Sequence, residues 1–162
     1  MKQFGSLAAF AAEIATLEAG VVFQLHQGLE AVATKIEHTA KKEIGEYQEA
    51  VGPFPAWEEL AESTKADRVR QGYTENDPGL RSGQMRDSIE HQTQGLEAVI
   101  GSNDDRLVWF ELGTTKQPPR PVLGPAVEHN HEAIRKIVGG AVVKGLLGGG
   151  SIPASLEYDH EV

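Results

Sequence analysis

The feature that most constrains this chain is a long apolar stripe in its first third. Eight apolar residues follow one another at intervals of three or four positions, which is the repeat of one face of an α-helix. They are Val22, Leu25, Leu29, Val32, Ile36, Ala40, Ile44 and Tyr47. The pattern predicts a helix of about 40 Å. Two interpretations stay open: a core helix, and a helix that also packs against neighbouring subunits because it is long for a small domain.

Shorter helices are predicted on both sides of this stripe. Ser6 is a suitable N-cap for an alanine-rich helix over Leu7–Leu17. Gly52–Pro55 ends the long helix, because prolines cannot continue it. A short helix is then predicted to open with Trp57–Ala61 and to end near Gly72.

The second half of the chain changes to the periodicity of strands. Alternation over Met85–Thr93 and the short run Leu96–Gly101 predict two strands joined by a turn at Gln94 and Gly95, which is a β-hairpin. Arg106–Leu112 fits a strand or a helix, and periodicity alone does not decide between them. A final helix is predicted from Pro121 or Val122 to Leu147.

Together these elements predict an α+β fold, with the long N-terminal helix and the C-terminal helix packed on a small antiparallel β-sheet. Residues 1–147 are expected to form one domain, because domains usually contain about 100–200 residues. Residues 148–162 begin with three glycines and carry three acidic and no basic residues, so we expect a flexible acidic C-terminal arm.

Composition narrows the classes of function. The 162 residues include no cysteine, which excludes disulfides, thiolate metal sites and a cysteine nucleophile. Lys and Arg number 15 against 24 Asp and Glu, a net charge of −9, whereas nucleic-acid-binding proteins usually present a basic stripe. The apolar window Leu7–Leu29 is interrupted by polar residues, so we expect neither a signal peptide nor a membrane span.

Candidate catalytic and metal-binding residues are few. His129 and His131 are two positions apart, which places them on different faces of a helix, whereas a zinc-protease helix needs a spacing of four. No serine lies in a Gly-x-Ser-x-Gly motif, and the sequence contains neither a Walker loop nor a dinucleotide-binding fingerprint. We therefore expect no enzymatic activity, no catalytic residue, no cofactor and no bound metal.

Five short motifs follow one another over residues 57–127. They are Trp57-x-x-Leu60-Ala61-x-x-Thr64, Leu80-x-Ser82-Gly83-x-Met85-Arg86-x-Ser88-Ile89, Ala98-Val99-Ile100-Gly101-Ser102, Trp109-Phe110-Glu111-Leu112-Gly113-Thr114 and Pro118-Pro119-Arg120-Pro121-Val122-Leu123-x-Pro125-Ala126. In this order they resemble the tail-component family of tailed bacteriophages. That family includes tail-completion and neck proteins similar to the lambda minor tail protein Z.

The resemblance implies a structural virion protein without catalysis, made in the host cytoplasm and located in the neck. Such proteins form a ring, expected to be six-fold, at the junction of the head connector and the tail. Viral DNA passes through the ring without sequence-specific binding. The expected partners are further copies of the chain, a head-connector or stopper protein, and tail tube or terminator proteins, with no membrane. The alternatives are a tail terminator, an assembly adaptor outside the virion and a metal-dependent morphogenesis enzyme.

Particular residues in these motifs have predicted roles. Structural turns are expected at Gly83, Gly101, Gly113 and Pro121, with a positive φ at Gly83 and Gly113. The sheet core is expected to contain Ile89, Val99 and Ile100, and the contacts between helices and sheet Trp109, Phe110 and Leu112.

Four residues are predicted to form an interface with other subunits. Arg120 is the strongest candidate, because the prolines around it fix the direction of its backbone. Lys116, Trp109 and Glu111 complete the predicted interface. The alternative role for Arg120 is an ion pair with Glu111 inside the subunit.

Overall fold

The computed structural model describes residues 6–148, which form six helices and one two-stranded antiparallel sheet. The elements are α1 (Leu7–Glu43), α2 (Glu62–Arg70), α3 (Gln84–Asp87), β1 (Ile89–Gln94), β2 (Glu97–Ser102), α4 (Asp105–Leu112), α5 (Leu123–His129) and α6 (His131–Leu146). The predicted α+β class is confirmed. Of the predicted C-terminal arm, only Gly148 lies among the described residues.

The first helix is longer than predicted, because α1 runs unbroken through both helices expected in this part of the chain. Ser6 caps it as expected: its hydroxyl oxygen accepts a hydrogen bond from the Ala9 N–H at 3.1 Å. Gly20 lies between the two predicted helices and does not interrupt α1. A single glycine costs about 1 kcal/mol, which is too little to stop a helix that continues on both sides.

The same helix ends earlier than predicted, at Glu43 rather than near Tyr47. Gly45 has a φ of 111°, outside the helical region, and its N–H donates to the carbonyl of Pro78 at 2.9 Å. The Tyr47 hydroxyl instead donates to the side-chain oxygen of Asn76 at 2.6 Å. Tertiary hydrogen bonds therefore replace the last predicted turn of the helix.

The segment from Trp57 to Ala61 is not helical, and α2 begins only at Glu62. The backbone N–H of Trp57 donates to the carbonyl of Gln48 at 2.9 Å. Its buried indole N–H donates to the carbonyl of Pro121 at 3.0 Å. Trp57, which was predicted to begin a helix, therefore forms hydrogen bonds with two separate segments of the chain.

The predicted β-hairpin is present, with Gly95 at its turn (φ 59°). Strand β1 begins later than predicted, because Met85 lies in the short helix α3. Gly101 lies inside β2 rather than at a turn, and Pro121 lies outside any turn. Gly83 and Gly113 have φ angles of 81° and 74°, in the left-handed region expected for them.

Three of the six predicted packing residues are exposed. Ile89 and Phe110 are buried, and Ile100 is half-buried. Val99 is exposed because adjacent residues of a strand point to opposite faces, so Val99 and Ile100 cannot both face the core. Trp109 (55% exposed) and Leu112 (74%) lie on the outer side of α4, the segment that periodicity left undecided and that is a helix.

The predicted C-terminal helix is two helices, α5 and α6, separated by Asn130. The buried Asn130 side-chain amide donates to the carbonyl of Ala126 and to the hydroxyl oxygen of Thr39, each at 2.7 Å. An asparagine side chain competes with helical backbone bonds in this way. The break therefore ties the end of α5 to α1.

The described chain divides into two compact units, which we call unit one and unit two. Unit one contains residues 6–32, 93–98 and 132–148, and unit two contains residues 33–92 and 99–131. The prediction of one domain over residues 1–147 stays a prediction.

Unit one depends on close helix packing. A Cβ atom placed on Gly28 would lie 3.0 Å from the Cβ of Ala141, and one on Gly145 would lie 2.5 Å from the Cα of Val21. These two glycines let α1 and α6 approach more closely than larger residues would allow. The hairpin turn also contacts α1, through the His26 ring nitrogen Nδ1 and the Gly95 carbonyl at 2.8 Å.

Unit two has an ordinary hydrophobic core. Its buried apolar residues are Ala33, Ile36, Ala40, Ile44, Trp57, Met85, Ile89, Leu107, Phe110, Val122 and Ala126. The rings of Trp57 and Phe110 meet edge to face, with their centroids 5.3 Å apart. Residues from α1, α3, β1, α4 and α5 contribute to this core, which positions the polar groups described next.

Candidate functional site

The predicted interface residues lie on α4 and on the loop that follows it, all in unit two. The backbone N–H of Arg120 donates to the carbonyl of Phe110 at 2.8 Å, which closes the loop onto α4. Gly113 allows this closure, because a Cβ atom there would lie 2.7 Å from the backbone nitrogen of Pro119. The loop therefore has a defined conformation set by α4.

Arg120 is 3% exposed, which differs from the predicted role in subunit contact. Its guanidinium donates to the carbonyl of Glu58 from Nε (3.1 Å) and Nη2 (2.8 Å), and from Nη2 to the carbonyl of Glu59 at 3.3 Å. Burial lowers the pKa of Arg120 below its usual value. The side chain therefore braces the segment before α2, and its burial argues against broad contact with another subunit.

Glu111 is also not the ion-pair partner proposed as the alternative for Arg120. Its carboxylate accepts hydrogen bonds from the backbone N–H groups of Val122 (2.8 Å) and Leu123 (3.3 Å). These donors at the beginning of α5 have no helical partner of their own. Glu111 thus fixes the start of α5.

Trp109 and Lys116 remain accessible for the predicted interface. Lys116 lies in a tight turn closed by mutual backbone hydrogen bonds between Thr114 and Gln117. Residues 112–119 line an open cavity of about 410 Å³. The predicted interface is therefore reduced to the exposed indole of Trp109 and the loop that presents Lys116.

A second cavity in unit two, of about 330 Å³, is lined by four arginines. They are Arg68, Arg81, Arg106 and Arg120, and we call this cavity the arginine pocket. The first three were not identified as site residues from the sequence. They are far apart along the chain, and no motif marks them, so only the fold brings them together.

Glu43, the last residue of α1, is a buried acidic residue with an exposed fraction of 4%. One carboxylate oxygen, Oε1, pairs with the His129 ring nitrogen Nδ1 at 2.9 Å, and Oε2 is buried without a hydrogen-bond partner. Burial raises the pKa of Glu43 to about 7, against the opposing effect of His129, and the negative charge of Glu111 raises it further. Unit two therefore contains a carboxyl group that titrates near neutral pH.

Six residues earlier on α1, Glu37 pairs with Lys41 and with His91. Hydrogen bonds from Lys41 and then His91 hold the pKa of Glu37 below its ordinary value. Within residues 6–148, the structure brings together no group of three or more histidine, aspartate and glutamate side chains that could hold a metal ion. His131, considered with His129 in the sequence, is exposed at the start of α6.

The first half of α1 exposes large apolar side chains. We call Leu7, Ile14, Val22 and Phe23 the α1 apolar surface; their exposed fractions lie between 43% and 83%. An 18-residue window of α1 has a mean hydropathy of 1.4, contains at most two charged residues and is not buried. By length and composition α1 is apolar enough to cross a membrane, contrary to our expectation, although core helices and signal sequences have the same property.

Comparisons with protein-family models, with curated proteins and with solved structures found no match to this chain.

Proposed function

We propose that this protein is a structural component of the head–tail junction of a tailed bacteriophage. It forms a ring that completes the tail or joins it to the head connector and lets DNA pass. The proposal rests on the ordered resemblance over residues 57–127 and on one observation of the structure, the exposed α1 apolar surface.

The motif residues behave as a packing pattern. Trp57, Met85, Ile89, Phe110 and Val122 come from four of the five motifs, and all are buried in unit two. A sequence pattern made of core residues is typical of a shared fold rather than of a shared catalytic site. This supports a structural function over an enzymatic one.

The α1 apolar surface supports assembly. Monomeric soluble proteins rarely expose a large contiguous apolar patch, and such patches usually mark an interface. On this proposal, a neighbouring copy covers Leu7 and Ile14 in unit one, which are seven positions apart and lie on the same face of α1. Trp109 and Lys116 in unit two supply a different contact. Contacts between two unlike surfaces generate a ring when the rotation between subunits closes.

The charge suits a passage for DNA. With a net charge of −9, the protein repels phosphates at long range. A ring through which DNA must pass functions better when its inner surface does not bind the DNA phosphates. We propose no sequence-specific contact with DNA.

The first test is the mass of the purified protein over a range of concentrations, with Ile14→Asn compared with Val69→Asn. Both residues are half-exposed β-branched residues on helices, at 49% and 55%. Ile14→Asn should weaken association roughly tenfold, because it removes a buried aliphatic side chain from the contact. Val69→Asn should leave association unchanged, and circular dichroism checks that both variants are folded.

Electron microscopy of purified phage particles completes the test. A ring of this chain at the neck is the expected result, and its level separates tail completion from a tail terminator. A chain found outside the particle would instead be an assembly adaptor and would overturn the proposal. Flotation with lipid vesicles that Ile14→Asn abolishes would also overturn it, since the α1 apolar surface would then serve membrane binding.

A further inference from the structure

The arginine pocket contains more positive than negative charge. Arg81 pairs with Asp67 at 3.2 Å, and Arg106 pairs with Asp104. Arg68 and Arg120 have no carboxylate within 4.0 Å among the described residues. Four arginines thus line this cavity, and none of its lining residues is an aspartate or a glutamate.

The two arginines without a carboxylate are also the two most buried. Arg68 is 4% exposed; it donates from Nε to the carbonyl of Thr74 at 2.7 Å and from Nη2 to the carbonyl of Leu80 at 2.9 Å. Arg120, at 3%, likewise uses Nε and Nη2. In both side chains, Nη1 makes no hydrogen bond within the described chain. Neither Nη1 atom is fully buried, so both remain accessible to a ligand.

Buried arginines in proteins are normally paired with an anion. Here, two nine-tenths-buried guanidinium groups line the same cavity, and each retains a nitrogen with two unused N–H donors. The hydroxyl groups of Thr64 and Ser82 line the same space and add further donors. The volume of about 330 Å³ is within the range of small-molecule sites.

We propose that the arginine pocket binds a compact oxyanion, a carboxylate or a phosphate, between Arg68 and Arg120. Arg81 and Arg106 line the cavity as partly exposed cations that attract the anion. Trp109 and Phe110 form an apolar wall that suits the carbon atoms next to the charged group. Every residue that lines the pocket belongs to unit two, and of these only Trp109 is also part of the contact proposed for the ring.

The test is a titration of the full chain with inorganic phosphate and, separately, with acetate, at constant ionic strength maintained with chloride. Trp109 lines the pocket and is one of only two tryptophans, so its fluorescence reports occupancy. Saturable binding of either anion is expected, and the tighter of the two identifies the class of ligand. A signal that follows ionic strength alone would overturn the proposal.

A matched pair of variants separates the pocket from general charge. Arg81 and Arg70 both bind the carboxylate of Asp67, but only Arg81 lines the pocket. Arg81→Gln should weaken anion binding roughly tenfold, because it removes a cation that lines the cavity, while Arg70→Gln leaves it within about twofold. Equal effects of the two variants, or no effect of Arg81→Gln, would overturn the proposal. Both residues are partly exposed, so the variants are expected to fold.

Discussion

Units one and two differ most in where they place their apolar residues. Of the thirteen buried apolar residues in the described chain, eleven lie in unit two and only Val32 and Ala141 lie in unit one. Unit one nevertheless exposes eight large apolar side chains. They are Leu7, Phe10, Ile14, Val22, Phe23, Leu96, Leu146 and Leu147. The two units are therefore stabilised in different ways.

Unit two buries an apolar core of its own, whereas unit one leaves apolar side chains available for contact with another molecule. In unit two, apolar burial supplies the main driving force, and buried polar groups such as Arg120 and Asn130 are held by specific hydrogen bonds. In unit one, α1 and α6 meet through the small residues Gly28 and Gly145. Much of the apolar area there still faces solvent, so a further molecule has more to gain by binding unit one than unit two.

The largest expected effect comes from comparing the replacement of one phenylalanine by alanine in each unit. Phe110→Ala should lower the free energy of unfolding by about 3–5 kcal/mol, because it empties a buried site beside Trp57. Phe23→Ala, at a residue 59% exposed, should change it by less than about 0.5 kcal/mol in dilute protein. Urea unfolding measures both.

The outcome at Phe23 also bears on the comparison between units. A cost that is comparable to that of Phe110→Ala at low protein concentration would mean that unit one has a core like that of unit two. A cost that grows with protein concentration would mean that another copy covers the α1 apolar surface.

The second prediction concerns the buried acid of unit two. The pKa of Glu43 is raised from 4.5 to about 7, so the folded protein binds a proton in this interval that the unfolded chain does not. Its free energy of unfolding should therefore fall as the pH rises through this window, by up to about 3 kcal/mol. Glu43→Gln should remove most of this fall, so above neutral pH the variant should be the more stable protein.

The pH effect can be separated from general titration with an exposed neighbour. Glu46→Gln removes a glutamate on the surface of unit two and should leave the slope with pH unchanged. The titratable side chains that act on Glu43 are those of His129 and Glu111. If Glu43→Gln kept the wild-type slope in urea unfolding between about pH 5 and about pH 8, burial of this acid would not be its cause.

The third prediction tests how unit one is held together. Gly145→Ala places a Cβ atom 2.5 Å from the Cα of Val21, so the backbones of α1 and α6 must move apart, at a cost of about 1–3 kcal/mol. Gly139 lies on the same helix with nothing within 4 Å of such an atom. Gly139→Ala should stabilise the protein by up to about 1 kcal/mol, since alanine favours the helix. Thermal unfolding measures the stability of both variants. Shifts of the melting temperature in the same direction would contradict the close approach of α1 and α6.

The sequence predicted the class of fold and the hairpin but not all boundaries. The alternation into Gly95 and the Ser6 cap are local signals, and the structure agrees with both. The breaks at Gly45 and Asn130 depend on partners at Pro78 and Thr39, which are distant in sequence. Local periodicity contains no information about such partners.

The candidate site was harder to predict for the same reason. Arg120 was predicted to contact another subunit, but its guanidinium donates to the backbone carbonyls of residues 58 and 59, which no pattern identifies. Arg68 belongs to a strongly polar helix, so its sequence context is typical of a surface residue. In the structure it is buried, because the loop at Thr74 and Leu80 encloses it. Trp109 and Leu112 looked like core residues because hydrophobicity does not say which face of a short helix is covered.

The smallest expected effect compares two serines that each stabilise a local junction. Ser88 donates to the carbonyl of Met85 at 2.8 Å and pairs with the Ser102 hydroxyl at 2.7 Å, so Ser88→Ala should cost about 1 kcal/mol. Ser6→Ala removes the cap of α1, where the neighbouring residues make few buried contacts. Because that end can fray without opening the rest, global unfolding should register less than about 0.5 kcal/mol, while amide exchange near Ala9 should accelerate. An equal loss of global stability from both substitutions would mean that the start of α1 unfolds together with unit two, and the contrast between the units would then fail at this end of the helix.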